Sequence, residues 1–351
     1  MKRHLKIGTA LIAALASLAA LAVIGAARTL VRPAGKYHLL NKYKIGGEGG
    51  WDYLTIDSDA RRLYLSRGTH VMVLDVDSGS VGGDIPDTNG VHGIALAPEF
   101  GKGFVSDGRD GKVTIFDLKT LKTIGEAKAG TNPDAIIYDD GSKRAFAFNG
   151  RSGDCTAIDA ESGKVAGTIP LPGKPEFAAA DGKGMVFVNM EDKSTVVAID
   201  SKNLAVKATW PIAPGEEASG MAIDRESGRL FIGCSNQKMV IMDCKSGKVV
   251  ATVPIGRGVD ANGFDPGTKM AFSSNGEGTL TVVHEDSPDK FTVVDNVQTQ
   301  RGARTMAVDL KTHNVVVVTA EFAAAPAATA QNPRPRPSMV PGSFTVLVYG
   351  M

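Results

Sequence analysis

The sequence predicts an all-β chain folded as a seven-bladed β-propeller, with four antiparallel strands in each blade. Three observations carry the prediction. Five apolar strands end alike, at Asp75, Asp117, Asp159, Asp200 and Asp243, spaced by 42, 42, 41 and 43 residues. Each stands in a unit that reads strand, turn, strand, strand, turn, strand, which is the pattern of a propeller blade. The last unit stops after its third strand, and a segment with the fourth-strand pattern, "YHLLNKYKI" at 37–45, stands before the first unit.

The repeat text fixes the strands. The third strands are "VMVLD", "VTIFD", "CTAID", "VVAID" and "MVIMD", followed by "LTVVH" ending at His284 and "FTVLV" ending at Val348. First strands such as "DAIIYDD" and "SGMAIDR" precede hairpin turns rich in Gly, Asp and Ser, which favour tight reversals. Second strands follow, such as "RLYLS", "RAFAF" and "RLFIG". Fourth strands such as "KVAGTIPL" and "KVVATVPI" complete the units. Pairing 37–45 with the last third strand would close the ring and leave no exposed sheet edge at the seam. The propeller is therefore expected to run from 36 to 351.

Residues 1–27 read as a secretory signal. Lys2, Arg3 and Lys6 precede an unbroken small and apolar stretch that ends in Gly25, Ala26 and Ala27. The expected location is periplasmic or secreted. An uncleaved segment would instead anchor the chain in an inner membrane facing the periplasm, and would be its one membrane contact. A monomer is expected. The formal net charge of +1 provides no field for nucleic acid.

Two Asp columns read as scaffold. The Asp75 column sits at the third-to-fourth turn of five units. A second column, Asp57, Asp139, Asp181, Asp224, Asp265 and Asp309, sits at the first-to-second turn of six units. An Asp at such a place caps its own turn by accepting backbone N–H bonds. Five residues before the second column, where the first strands enter the channel mouth, the residues vary but stay polar. They are Asp52, His92, Asp134, Glu176, Ser219, Asp260 and Arg304. The second strands end towards the same face at Arg67, Asp107, Asn149, Asn189, Cys234 and Asn275, with Glu321 in the last unit. Two polar rings around one opening are expected, forming a site for a small molecule, an ion or a protein partner.

No cofactor is required by these residues. Carboxylate and amide oxygens suit Ca²⁺ or Mg²⁺, whereas His92 turns the metal candidates Asp52, His92, Asp134, Glu176 and Asp260 towards a transition metal. The alternative is a metal-assisted lactonase or esterase that uses the same carboxylates. The chain lacks G-x-S-x-G, H-E-x-x-H and P-loop motifs. Cys155, Cys234 and Cys244 are expected to be buried free thiols. An Ala/Pro-rich insertion at 322–341, with Arg334 and Arg336, reads as a loop on the channel-mouth side of the seventh blade.

Units such as "DCKSGKVVATVPIGRGVDANGFDPGTKMAFSSN" (243–275) resemble the YVTN repeat of bacterial YncE-like propellers. The resemblance covers nearly all of 36–351. It implies seven blades and an exported protein, and leaves the activity open, because one propeller scaffold serves many functions. Single-stranded DNA binding is implied by family analogy alone.

Overall fold

In the computed structural model, which describes residues 36–327, 329 and 337–351, the strands form seven four-stranded antiparallel sheets. In blades 1 to 6 the strands run outward in chain order. Blade 3 is representative, with Pro133–Asp139 innermost, then Arg144–Asn149, Asp154–Asp159 and Val165–Pro170. Blade 7 is built from both ends of the described chain. Met306–Asp309, Asn314–Thr319 and Thr345–Gly350 are completed by His38–Lys44, which pairs antiparallel with Thr345–Gly350. Lys36–Met351 forms one compact unit. The signal segment at 1–27 and the insertion's Arg334 and Arg336 lie outside the described residues.

Burial explains the uneven text of the strands. The second and third strands of blade 3 are almost wholly buried, as both faces of their sheet are covered by neighbouring blades. Such strands read as continuous apolar runs. The outer strand, Val165–Pro170, exposes most of its residues and buries only Ile169. The cores lie between blades. One cluster joins Phe146 and Phe148 of blade 3 to Val186 and Val188 of blade 4, and another joins Leu63 and Leu65 of blade 1 to Val316 and Val318 of blade 7.

Both Asp columns cap turns. Asp75 Oδ1 accepts the Ser78 N–H at 2.8 Å, and Asp117, Asp159, Asp200 and Asp243 repeat the contact at 2.7–2.9 Å. Asp57, Asp139, Asp181, Asp224, Asp265 and Asp309 do the same at the other turns. Two of the turns carry a glycine that admits an aromatic ring from the preceding blade. A Cβ on Gly79 would lie 2.3 Å from the Tyr43 ring, and one on Gly247 would lie 2.1 Å from the Trp210 ring. Both glycines also have φ of +70°, where side chains are strained.

The three cysteines are free and buried. Burial pushes each thiol's pKa up, to about 11 for Cys234. The thiolate is the reactive form, so these groups are expected to be inert in the folded state. Alkylation of the native protein should add almost nothing, and alkylation after unfolding without reductant should add three groups. A disulfide-linked peptide pair would contradict this.

Candidate functional site

The inner strands bring the first polar set together. In blades 2 to 6 the pairing of the inner strand slips where the ring residue sits, for example between Pro133 and Ile136 and between Pro175 and Ala178. A bulge at the rim re-aims one side chain out of the alternating pattern. Here it turns His92, Asp134, Glu176, Ser219 and Asp260 to the channel mouth. In blades 1 and 7 the inner strand begins later, at Leu54 and Met306, and Asp52 and Arg304 stand just before it.

Hydroxyl groups on the second strands hold these backbones. Ser66 Oγ accepts the Asp52 N–H at 2.8 Å, Ser106 Oγ donates to the Asp134 carbonyl, and Ser274 Oγ donates to the Arg304 carbonyl. The last two bonds cross to the next blade and stitch neighbouring inner strands into one rim.

The centre of the site is an imidazole between two carboxylates. His92 Nδ1 lies 2.7 Å from Asp52 Oδ2 and 3.6 Å from Asp134 Oδ1. The three side chains are 28, 26 and 16 % exposed, so water reaches them. Gly108 makes room for the ring, since a Cβ there would lie 2.8 Å from His92 Nε2. Glu176 Oε2 lies 3.6 Å from Lys174 Nζ. Asp260 is held by Arg304 Nη1 at 3.3 Å and by Ser219 Oγ at 3.3 Å.

Crowding and burial shift the protonation of this cluster. Burial, reinforced by the charges of Asp134 and Asp260, pushes Glu176 up to about 8 despite Lys174. Burial pushes Asp134 up to about 6, with His92 opposing it and Asp52 adding to it. Burial likewise raises Asp260 to about 6 against the pull of Arg304. At His92 burial disfavours the imidazolium, but the Asp52 hydrogen bond and the surrounding carboxylates outweigh it and raise the pKa. The cluster therefore holds protons that a bound cation would displace.

The floor of the site is aromatic, and the sequence reading missed it. Tyr53 of blade 1 and Phe177 of blade 4 stack across the axis, with ring centroids 4.5 Å apart and planes at 29°. Tyr53 Oη is buried with no hydrogen-bond partner among the described residues, and the four ring carboxylates raise its pKa in addition to burial. Each aromatic directly follows a ring residue. The same position elsewhere holds Gly93, Ala135, Gly220, Ala261 and Thr305. Two large rings in a column of small residues was the available signal.

The second polar set does not form a ring at the opening. Arg67, Asp107, Asn149, Asn189, Cys234 and Asn275 are all buried. Their strands lie one layer out from the axis, and the inner strands cover them. Asp107 accepts from Thr114 Oγ1 at 2.6 Å, Asn149 donates to Thr156 Oγ1 at 3.0 Å, and Asn275 donates to Thr281 Oγ1 at 3.0 Å. Asn189 donates to the Ser219 carbonyl of the next blade at 2.8 Å. The Arg67 guanidinium lies over the Phe344 ring at 3.8 Å and donates to the Glu48 carbonyl at 2.9 Å. Glu321 is exposed at the base of the insertion.

The molecule is thus a seven-bladed propeller with an acidic, aromatic-floored pit at one end of its axis. Its repeats match the PQQ-type family model described as outer membrane protein assembly factor BamB over residues 109–331, and the chain belongs to that family. It is 27 % identical over 218 residues to the dihydro-heme d1 dehydrogenase of Pseudomonas aeruginosa, an alignment spanning 57 % of this chain and 43 % of that protein. The chain thus matches less than half the length of that relative. Among solved structures, the hydrazine synthase of Kuenenia stuttgartiensis superposes with a TM-score of 0.68 at 15 % identity, covering 77 % of this chain and 92 % of the other. That likeness is one of fold.

The ring carries a stability cost that can be measured. A carboxyl raised from its ordinary 4.5 to about 8 favours the folded state while protonated, and that contribution is lost as pH rises through 8. Glu176→Gln should therefore melt higher than the parent at about pH 9, by about 2–5 °C, with the gap closing towards about pH 5. A Gln variant that is less stable at alkaline pH would contradict the shift.

Proposed function

We propose that the chain is an exported binding propeller whose channel mouth takes a small cation, foremost a divalent metal ion at Asp52, His92 and Asp134. The observation that carries the reading is geometric. Each of the three offers a ligand atom within 4.8 Å of the other two, at a water-reached mouth above an aromatic floor. One imidazole and two carboxylates suit Zn²⁺ or Mn²⁺ better than Ca²⁺ or Mg²⁺. Export rests on the leader-like start of the sequence. Among the described residues no helix is long and apolar enough to cross a membrane. Within the family, the Lys-Val-Val and Ile-Pro repeat text favours the YVTN-type branch. A nucleic-acid partner is disfavoured, since ring carboxylates repel phosphates.

Isothermal titration with Mn²⁺, Zn²⁺, Ca²⁺ and Mg²⁺ tests the reading. One Mn²⁺ or Zn²⁺ should bind per chain and weaken by about tenfold or more in His92→Ala and in Asp134→Asn. Affinity should rise with pH, steeply through about 6, where Asp134 and Asp260 ionise. Absence of binding by all four ions would remove the reading.

A metal-assisted hydrolase is the second reading. Glu176, held protonated to about 8, would be a general acid beside the metal candidates at neutral pH. Lactone and ester panels with and without Mn²⁺ decide it, and no turnover under either condition removes it.

A further inference from the structure

Beside the pit lies a cavity of about 510 Å³ lined by Trp51, Gly302, Arg304, Phe322, Pro337 and Met339. We infer that it binds a small aromatic carboxylate, whose ring lies against Trp51 and Phe322 and whose anionic group meets Arg304. The inference goes beyond cation binding in the pit and shares only the mouth with it.

The walls are held from several directions. Trp51 directly precedes the ring residue Asp52 and packs on Phe344 at 5.2 Å and on Phe322 at 6.2 Å between centroids. Phe344 in turn carries the buried Arg67 on its face. Phe322 and Met339 pair in an antiparallel bridge. The Ala323 N–H donates to the Ser338 carbonyl at 2.9 Å, and the Val340 N–H to the Glu321 carbonyl at 2.8 Å. The base of the blade 7 insertion is therefore a short paired stem that forms the outer wall. Gly302 lets Phe322 lie against its backbone, since a Cβ there would lie 2.7 Å from the ring.

The chemistry selects the ligand. Trp51, Phe322, Met339 and Pro337 provide apolar walls, with the two rings tilted at 46° to one another, and the cavity's volume is that of a small-molecule site. Phe322 is 38 % exposed. Among the described residues that line the cavity, Arg304 is the charged one. Its guanidinium is half exposed and meets Asp260 through Nη1 at 3.3 Å, and a guanidinium has five N–H donors to share. A planar guanidinium matches a carboxylate in two parallel bonds. Asp260 pairs with Arg304, and a metal ion at Asp52, His92 and Asp134 would reduce the repulsion of an anion by the ring acids.

The chain has two tryptophans, so the Trp210→Phe variant leaves Trp51 as the sole indole reporter. Benzoate, benzyl alcohol and benzylammonium are titrated into it with and without Mn²⁺, by calorimetry and Trp51 emission. Benzoate should give a saturable change and bind about tenfold or more tightly than benzyl alcohol. Arg304→Met should abolish that preference, and Phe322→Ala should weaken binding of both. The inference is overturned if benzylammonium binds as well as benzoate, if Arg304→Met leaves benzoate affinity unchanged, or if no probe saturates. Mn²⁺ titration of Arg304→Met separates the two sites. That variant should keep Mn²⁺ binding while losing the benzoate preference; in the Trp210→Phe protein itself, metal binding without benzoate binding overturns the cavity alone, and benzoate binding without metal binding overturns the metal reading alone.

Discussion

The pairing of His38–Lys44 with Thr345–Gly350 decides whether there is a site at all. Blades bury their faces on their neighbours, so an open arc would leave two faces bare and enclose no axis. With the seam closed, seven inner strands are forced to face one another, and each start of a strand projects a residue to the same opening. The carboxylates of Asp52, Asp134, Glu176 and Asp260 are therefore neighbours because of closure. They come from four different blades and from distant parts of the chain.

That enforced proximity sets the electrostatics. Four acids at one mouth repel each other, and burial adds to the cost of their charge. The fold answers in part with Lys174 beside Glu176, Arg304 beside Asp260 and His92 between Asp52 and Asp134. The remainder is carried as raised pKa values at Asp134, Glu176 and Asp260. A scaffold indifferent to ligands could hold amides or small residues there, as it holds Ser219 in blade 5. Acids with raised pKa values beside the Tyr53–Phe177 stack are the feature on which the proposed binding role rests.

Most of the architecture was legible because its signal repeats. An Asp that caps a turn in every blade fixes the register of every strand, and counting five residues back from Asp139 or Asp265 reaches Asp134 or Asp260 correctly. The second polar set was misread for a physical reason. Asn149 and Asn275 end strands that alternate properly, but alternation along one strand does not tell which neighbour covers its end. Asn149 is buried under the inner strand and spends its amide on Asp154 and Thr156. Tyr53 and Phe177 were overlooked because an aromatic in an apolar strand reads as core. Their significance lies in the small residues at the matching places of the other five blades. The cavity under the insertion was not legible, since it depends on Phe322 and Met339 meeting across a segment with no repeat counterpart.

The most direct test of the account is the anomalous scattering of a crystal grown or soaked with Mn²⁺. The account predicts one strong peak at the channel mouth, within bonding distance of Asp52, His92 and Asp134. A mouth without a peak, or Mn²⁺ found only at the exposed Asp turns on the opposite face, would contradict it.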